Sequence, residues 1–161
     1  MKKLFMLFIT LFLLFPAMTF AASSFTVDGA RYEVKSANGD TRVFEVYTGD
    51  WVCDAADASF TTALFVSNMT GKLYKIVFNP SGTTAPTDDY DIGILDGQLA
   101  DISGGAGTDL DEALSKSSPA FIGAVPLEYV PVIKESLYLG LTGNEVNSAA
   151  GRVILYFEIF K

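Results

Sequence analysis

The sequence predicts an all-β protein: one antiparallel β-sandwich or jelly-roll-like domain of seven to nine strands, with at most one short helix. A targeting segment precedes it. Three observations carry this reading. β-branched and aromatic runs alternate with Gly, Asn, Asp and Pro clusters at intervals of about ten residues. Within the runs, apolar and polar side chains alternate with the period of two that a half-buried strand requires. No segment sustains the 3.6-residue apolar period of a long amphipathic helix.

Residues 31–35 (RYEVK) place Tyr32 and Val34 on one face. Asn38, Gly39 and Asp40 follow as a hairpin signal, and residues 42–47 (RVFEVY) supply the returning strand. Trp51, Val52 and Cys53 extend it, and residues 54–59 are a small polar connection. Residues 60–67 (FTTALFVS) and 72–78 (KLYKIVF) read as two strands joined by a turn at Asn68, Met69, Thr70 and Gly71. Residues 79–89 (NPSGTTAPTDD) hold two prolines and no large apolar side chain, so they form an exposed loop. Residues 90–95 (YDIGIL) put Tyr90, Ile92 and Ile94 on one side. Asp96 and Gly97 turn the chain, and residues 104–108 (GGAGT) form a link.

Residues 109–116 (DLDEALSK) fit one or two helical turns, with acids where the helix dipole favours them. Residues 121–132 are apolar but contain Pro126 and Pro131, which suits an edge strand or an extended crossing. Residues 136–141 (SLYLGL) alternate Leu137, Leu139 and Leu141, and a polar turn follows. Residues 152–160 (RVILYFEIF) are apolar on both faces, as a central strand is.

The amino terminus has a different logic. Lys2 and Lys3 precede a twelve-residue apolar run, residues 4–15, broken only by Thr10. Pro16 and the small residue Ala21 come next. This is the order of a secretory signal peptide, with cleavage between Ala21 and Ala22. The run is shorter than the roughly 20 apolar residues of a spanning helix. Residues 1–21 are therefore read as a signal peptide and residues 22–161 as one domain, working in the periplasm or outside the cell. No stable membrane insertion is expected after cleavage. A small outer-membrane barrel is the alternative for a chain of this length with an aromatic final strand, but most runs fall short of the roughly ten residues of a membrane strand.

Charge narrows the function. The chain has 11 basic and 19 acidic residues, a net charge of −8. Residues 1–21 hold two lysines and no acid, so the domain keeps 9 basic residues against 19 acids, a net −10. That disfavours nucleic acid and anionic lipid as partners. With no histidine, His-based triads and His-ligated zinc are excluded. Cys53 is the single cysteine, so no internal disulfide forms. It is read as a small buried hydrophobe, the alternative being a bond between chains.

Oxygen-rich clusters offer the remaining chemistry. Asp88, Asp89 and Asp91 beside Thr87 are calcium candidates, although the EF-hand pattern is absent. Asp109, Asp111 and Glu112 form a weaker cluster. A glycosidase needs two carboxylates across a cleft, and nothing in the sequence selects a pair from 19 acids. Gly104, Gly105 and Gly107 lack the Lys-Ser or Lys-Thr of a phosphate loop. Trp51, Tyr47 and Tyr90 suit carbohydrate stacking or core packing. Asn68, Met69 and Thr70 fit a glycosylation sequon, meaningful only in a eukaryotic secretory host.

Two stretches, residues 73–80 (LYKIVFNP) and 84–92 (TAPTDDYDI), carry a resemblance. With the Asp-Gly at 96–97, the GGAG at 104–107 and the paired carboxy-terminal strands, they resemble a loose group of small phage and prophage proteins, structural in type. The resemblance covers about half the chain and implies a compact β module that assembles with protein partners or with itself. It supplies no catalytic residues. The function expected is thus an exported, non-enzymatic structural or interaction module, the alternatives being a secreted carbohydrate- or calcium-binding module and the small barrel.

Overall fold

The computed structural model describes residues 22–35, 41–119 and 130–159. The signal peptide, the hairpin turn at Asn38–Asp40 and most of the segment 121–132 lie outside the described residues. Among the described residues seven strands form: β1 (Ser24–Lys35), β2 (Thr41–Val52), β3 (Ala63–Pro80), β4 (Asp91–Leu95), β5 (Lys116–Pro119), β6 (Val130–Thr142) and β7 (Ala150–Ile159). All neighbours are antiparallel, in the order β1-β2-β7-β3-β6-β4, with β5 also on β3.

β3 makes a sandwich out of this single path. Its first half pairs with β6, from Ala63 opposite Leu139 to Leu73 opposite Val130. Its second half pairs with β7, from Gly71 opposite Ile159 to Pro80 opposite Gly151. The strand thus leaves one layer and enters the other, as strands at sandwich corners do through bulges. Three register shifts between Leu64 and Thr70 mark the corner, and Asn68 there has a φ of 53°. Asparagine tolerates this left-handed conformation better than most residues. The turn expected at Asn68–Gly71 is therefore a bend inside one long strand, not a hairpin. Val66, Met69 and Leu73 are all buried around it, so the core holds the chain in line on both sides.

The core lies between the layers. From β2 and β7 come Trp51, Val153, Leu155 and Phe157; from β4 and β6 come Ile92, Ile94, Leu137 and Leu139. Phe25 of β1 meets Phe65 of β3 edge-on at 5.2 Å, and Trp51 meets Tyr90 at 6.1 Å. Gly49 leaves room for the Phe25 and Phe65 rings, since a Cβ there would lie 2.5 Å from Phe25 and 2.8 Å from Phe65. β7 sits between β2 and β3, the central position its doubly apolar sequence calls for. The path ends at β1 and β4, which do not pair with each other, so the described strands do not close into a barrel.

The expected helix at 109–116 does not form; among the described residues there is no helix. Leu110 is instead drawn under the sheet, bridging Tyr90, while Lys116–Pro119 pairs with β3 as β5. Too few residues remain between them for a stable helix. Asp111 holds the intervening turn, its Oδ1 accepting from Ala113 N at 2.7 Å and Leu114 N at 2.9 Å.

Candidate functional site

The acids singled out in the sequence do not converge. Asp88 and Asp89 are exposed, and Asp89 has a φ of 63°. Asp91 Oδ1 accepts from Asp109 N at 2.9 Å, fastening the loop after β4 to the start of that strand. Among the described residues, no group of three or more acidic, cysteine or histidine side chains is placed to hold a metal ion. The carboxylates bind backbone instead. Asp54 accepts from Ala56 N, Asp57 from Ser59 N, and Asp96 from Gln98 N and Ala100 N. Asp101 accepts from Ser103 N and Gly105 N. Such Asx turns explain a good part of the acidic composition: short carboxylates satisfy N–H groups that no ladder reaches.

The aromatic candidates belong to the core. Trp51 and Tyr90 are buried, and Tyr90 has its hydroxyl pushed up to about 12 by burial, with the Asp111 charge adding to it. Tyr47 packs edge-on against Phe157 and donates to Glu45 Oε2 at 2.8 Å. Gly104 and Gly105 adopt positive φ in a turn, and Gly107 packs against the Ile92 backbone. In the sequon triplet Asn68 is exposed, Met69 is buried, and Thr70 Oγ1 accepts from Lys134 N.

One residue that sequence reading passed over ties three loops together. Asn144 Nδ2 donates to Ala58 O at 3.1 Å, Val146 O at 3.0 Å and Cys53 Sγ at 3.4 Å. Its Oδ1 accepts from Thr87 N at 3.1 Å, and Thr87 Oγ1 accepts from Glu145 N at 2.8 Å. The most specific stretch of the resemblance, 85–92 (APTDDYDI), thus clasps the 143–149 turn through Thr87, buries Pro86 and Tyr90, and anchors a loop through Asp91. These roles are architectural.

Cys53 is 1% exposed, as a small buried hydrophobe would be. Burial pushes its thiol up to about 11, partly offset by Asn144. The folded state therefore favours the neutral thiol, and the unfolded chain gives up the proton first. Stability is complete below the unfolded value of 9.0 and falls as pH rises toward about 11. The midpoint of thermal unfolding is expected to drop across that interval, and to drop less in Cys53→Ala. Equal falls in both proteins would show that the thiol contributes nothing.

The two ends of the sheet are finished differently. At the β4 end, the 96–110 loop lies along the strand and takes up its outward groups. Ile92 N donates to Gly107 O at 2.7 Å, Ile102 N to Ile94 O at 2.8 Å, and Leu110 N to Tyr90 O at 2.9 Å. That edge is closed. At the other end, β1 pairs with β2 along all of its 12 residues, and every β1 residue except Phe25 is exposed. Among the described residues no strand pairs with its outer edge.

No family model matches the sequence, and no curated protein is similar to it.

Two solved structures are similar at a distance. One is a chain of the cyanophage Pam1 capsid asymmetric unit, with 17% identity and a TM-score of 0.41, over 91% of this chain and 93% of that one. The other is the enzymatically active domain of bacteriophage CBA120 tailspike protein 4, with 10% identity and a TM-score of 0.18. That likeness covers 87% of this chain and 18% of the tailspike chain. Neither likeness assigns an activity.

The open end of the sheet is the feature left for function. On its outer face β1 carries Ala30, Tyr32 and Val34, opposite Val46, Phe44 and Arg42 of β2. Tyr32 is 55% and Val34 53% exposed. On the inner face, Arg31 Nη1 stands 3.8 Å from Glu45 Oε1. On the outer face, Arg152 binds both Asp50 oxygens, at 2.6 and 3.0 Å. These two charges are satisfied by each other. The alternation of Tyr32 and Val34 was legible in the sequence; that their shared face looks outward was not.

Proposed function

We propose that this chain is an exported, non-enzymatic structural or interaction module of phage or prophage character, which works by joining its sheet to a protein partner. The observation that carries the reading is the contrast between the two sheet ends: one is sealed by a loop, while β1 presents twelve regularly paired residues, all exposed but Phe25. A long open edge is a template for pairing with another chain, and proteins that stay alone usually blunt it. The Asx-turn duty of the carboxylates supports the non-enzymatic part. Export rests on the basic start, the apolar run and the Ala21–Ala22 site, and phage character on the 84–92 stretch.

The test uses the full chain expressed in a bacterium. The expected product lies outside the cytoplasm, begins at Ala22, and migrates in native extracts as a complex larger than the monomer. The double variant Tyr32→Lys, Val34→Lys is expected to release a folded monomer. Its stability should change by no more than about 0.5 kcal/mol, because both positions are on the surface. A wild-type chain that runs alone, indifferent to these substitutions, overturns the reading.

A further inference from the structure

The geometry points to a second copy of this chain as the partner at the β1 edge, paired antiparallel about a two-fold axis at Tyr32. This rests on the assembly reading above and names its partner. A two-fold axis perpendicular to the sheet keeps the inner faces of both copies on one side, so it must pass through a residue position of β1, and each choice can be judged by what it pairs. Centred on Tyr32, the ladder sets Tyr32 against Tyr32, Ala30 against Val34, and Gly29 against Lys35. Arg31 of each copy then faces Glu33 of the other.

The neighbouring registers are poorer. An axis at Arg31 sets Arg31 against itself. An axis at Glu33 sets Glu33 against itself and Arg31 against Lys35. One at Ala30 brings no opposite charges together. One at Val34 pairs Glu33 with Lys35 but leaves only residues 33–35 of the described strand in the ladder. Like charges directly opposite destabilise a sheet and opposite charges favour it. The Tyr32 register is thus the one that gains two ion pairs while keeping residues 29–35 in the ladder.

Both faces of the strand agree with it. On the inner face, Arg31 already stands beside Glu45 of its own chain. The register places a carboxylate on its other side as well, giving a row Glu45, Arg31, Glu33 in which charges alternate across the junction. On the outer face, the exposed Tyr32 rings of the two copies come together and each Val34 gains an apolar neighbour in Ala30. The axis also lies well away from the strand's beginning, where Phe25 packs on Phe60 and Phe65 and Ser23 Oγ accepts from Thr61 N.

Cysteine substitution reads the register directly. Residues opposed on an antiparallel pair have Cα atoms roughly 4.5–5.5 Å apart, within disulfide reach. Residues two places from the axis face their own copies across about 13 Å, out of reach. Under mild oxidation, Tyr32→Cys is expected to give at least about tenfold more disulfide-linked dimer than Ala30→Cys or Val34→Cys. The wild-type chain, with Cys53 buried, is the control. Glu33→Arg, which brings like charges together at both ion pairs, is expected to raise the dimer dissociation constant by about tenfold or more in sedimentation.

Strongest cross-linking at Val34, or equal cross-linking at all three positions, overturns the register. A complex that is lost in the Tyr32→Lys, Val34→Lys variant but contains only one copy of the chain, shown by co-expressing two differently tagged chains, overturns the second-copy inference and leaves the assembly reading standing. Absence of any complex in the wild-type chain overturns both.

Discussion

Removal of residues 150–161 is expected to leave no soluble, folded domain. β7 is the strand that joins the two halves of the path. It pairs with β2 from Ala150 opposite Val52 to Glu158 opposite Phe44, and with β3 from Gly151 opposite Pro80 to Ile159 opposite Gly71. Without it, the β1–β2 hairpin loses the neighbour that connects it to the rest of the sheet, and β3 keeps only β6 and β5. Val153, Leu155 and Phe157 are all fully buried. Burial of such side chains contributes about 1.5–3 kcal/mol each. Their loss alone approaches the 5–15 kcal/mol that holds an average domain together. Single substitutions should act in the same direction with smaller size: about 2–5 kcal/mol for Leu155→Ala and about 3–5 kcal/mol for Phe157→Ala. Soluble yield and the circular dichroism spectrum report the deletion, and urea unfolding the single variants. A truncated chain that remains folded and monomeric would sink this topology.

Gly107→Ala is expected to cost at least about 3 kcal/mol, because the added methyl has nowhere to go. A Cβ at this position would press into the carbonyl oxygen of Ile92, lying also 3.0 Å from the Ile92 carbonyl carbon and 3.0 Å from the Phe78 ring. The obstacle is backbone of a buried strand, so no side-chain rotation relieves it. The backbone would have to separate, and with it the bond from Ile92 N to Gly107 O that seals the β4 edge. Gly82→Ala is the internal comparison: its Cβ would meet nothing within 4 Å, so the change should stay within about 0.5 kcal/mol. Chemical unfolding of both variants decides the matter. Equal stabilities would mean that the loop is not packed on β4 as described. The variant has a second expected consequence, since a loosened loop opens the sealed edge and raises the tendency to aggregate.

The strands were largely legible because strand formation is a local matter. Alternation at Tyr90, Ile92 and Ile94, and at Leu137, Leu139 and Leu141, marks one face at a time, and the structure buries those faces. The continuous apolar run at the carboxy terminus correctly indicated a strand covered on both edges. Two errors have a common cause. Asn68–Gly71 has turn chemistry, and the left-handed Asn68 honours it locally, yet the chain does not reverse because the flanking residues find partners in two different layers. Residues 109–116 have helical composition, yet Leu110 and Lys116 are claimed by Tyr90 and Phe78 from far along the chain. In both places a distant contact outweighed a weak local preference.

The acids show the same division. Their number and the absence of histidine are properties of composition, and they bounded the chemistry from the start. Whether Asp88, Asp89 and Asp91 meet around one point depends on the backbone dihedrals of the loop and on what the loop leans against. The structure spends Asp91 on the Asp109 N–H and leaves the other two exposed on the loop. Asn144 is the converse case. One asparagine in a polar turn carries no sequence signal, and its importance comes from three loops arriving at the same place.

By itself, then, the sequence determined the all-β class, the buried faces of β4 and β6, the central place of β7, and the acidic character of the domain. These follow from period, propensity and composition, which act over a few residues. Only the tertiary structure decided that β3 bends through both layers, that the 96–110 loop closes the edge at β4, and that β1 ends the sheet with its outer edge exposed. An edge is defined by which strand lacks a neighbour, and that is a property of the whole path rather than of any strand in it.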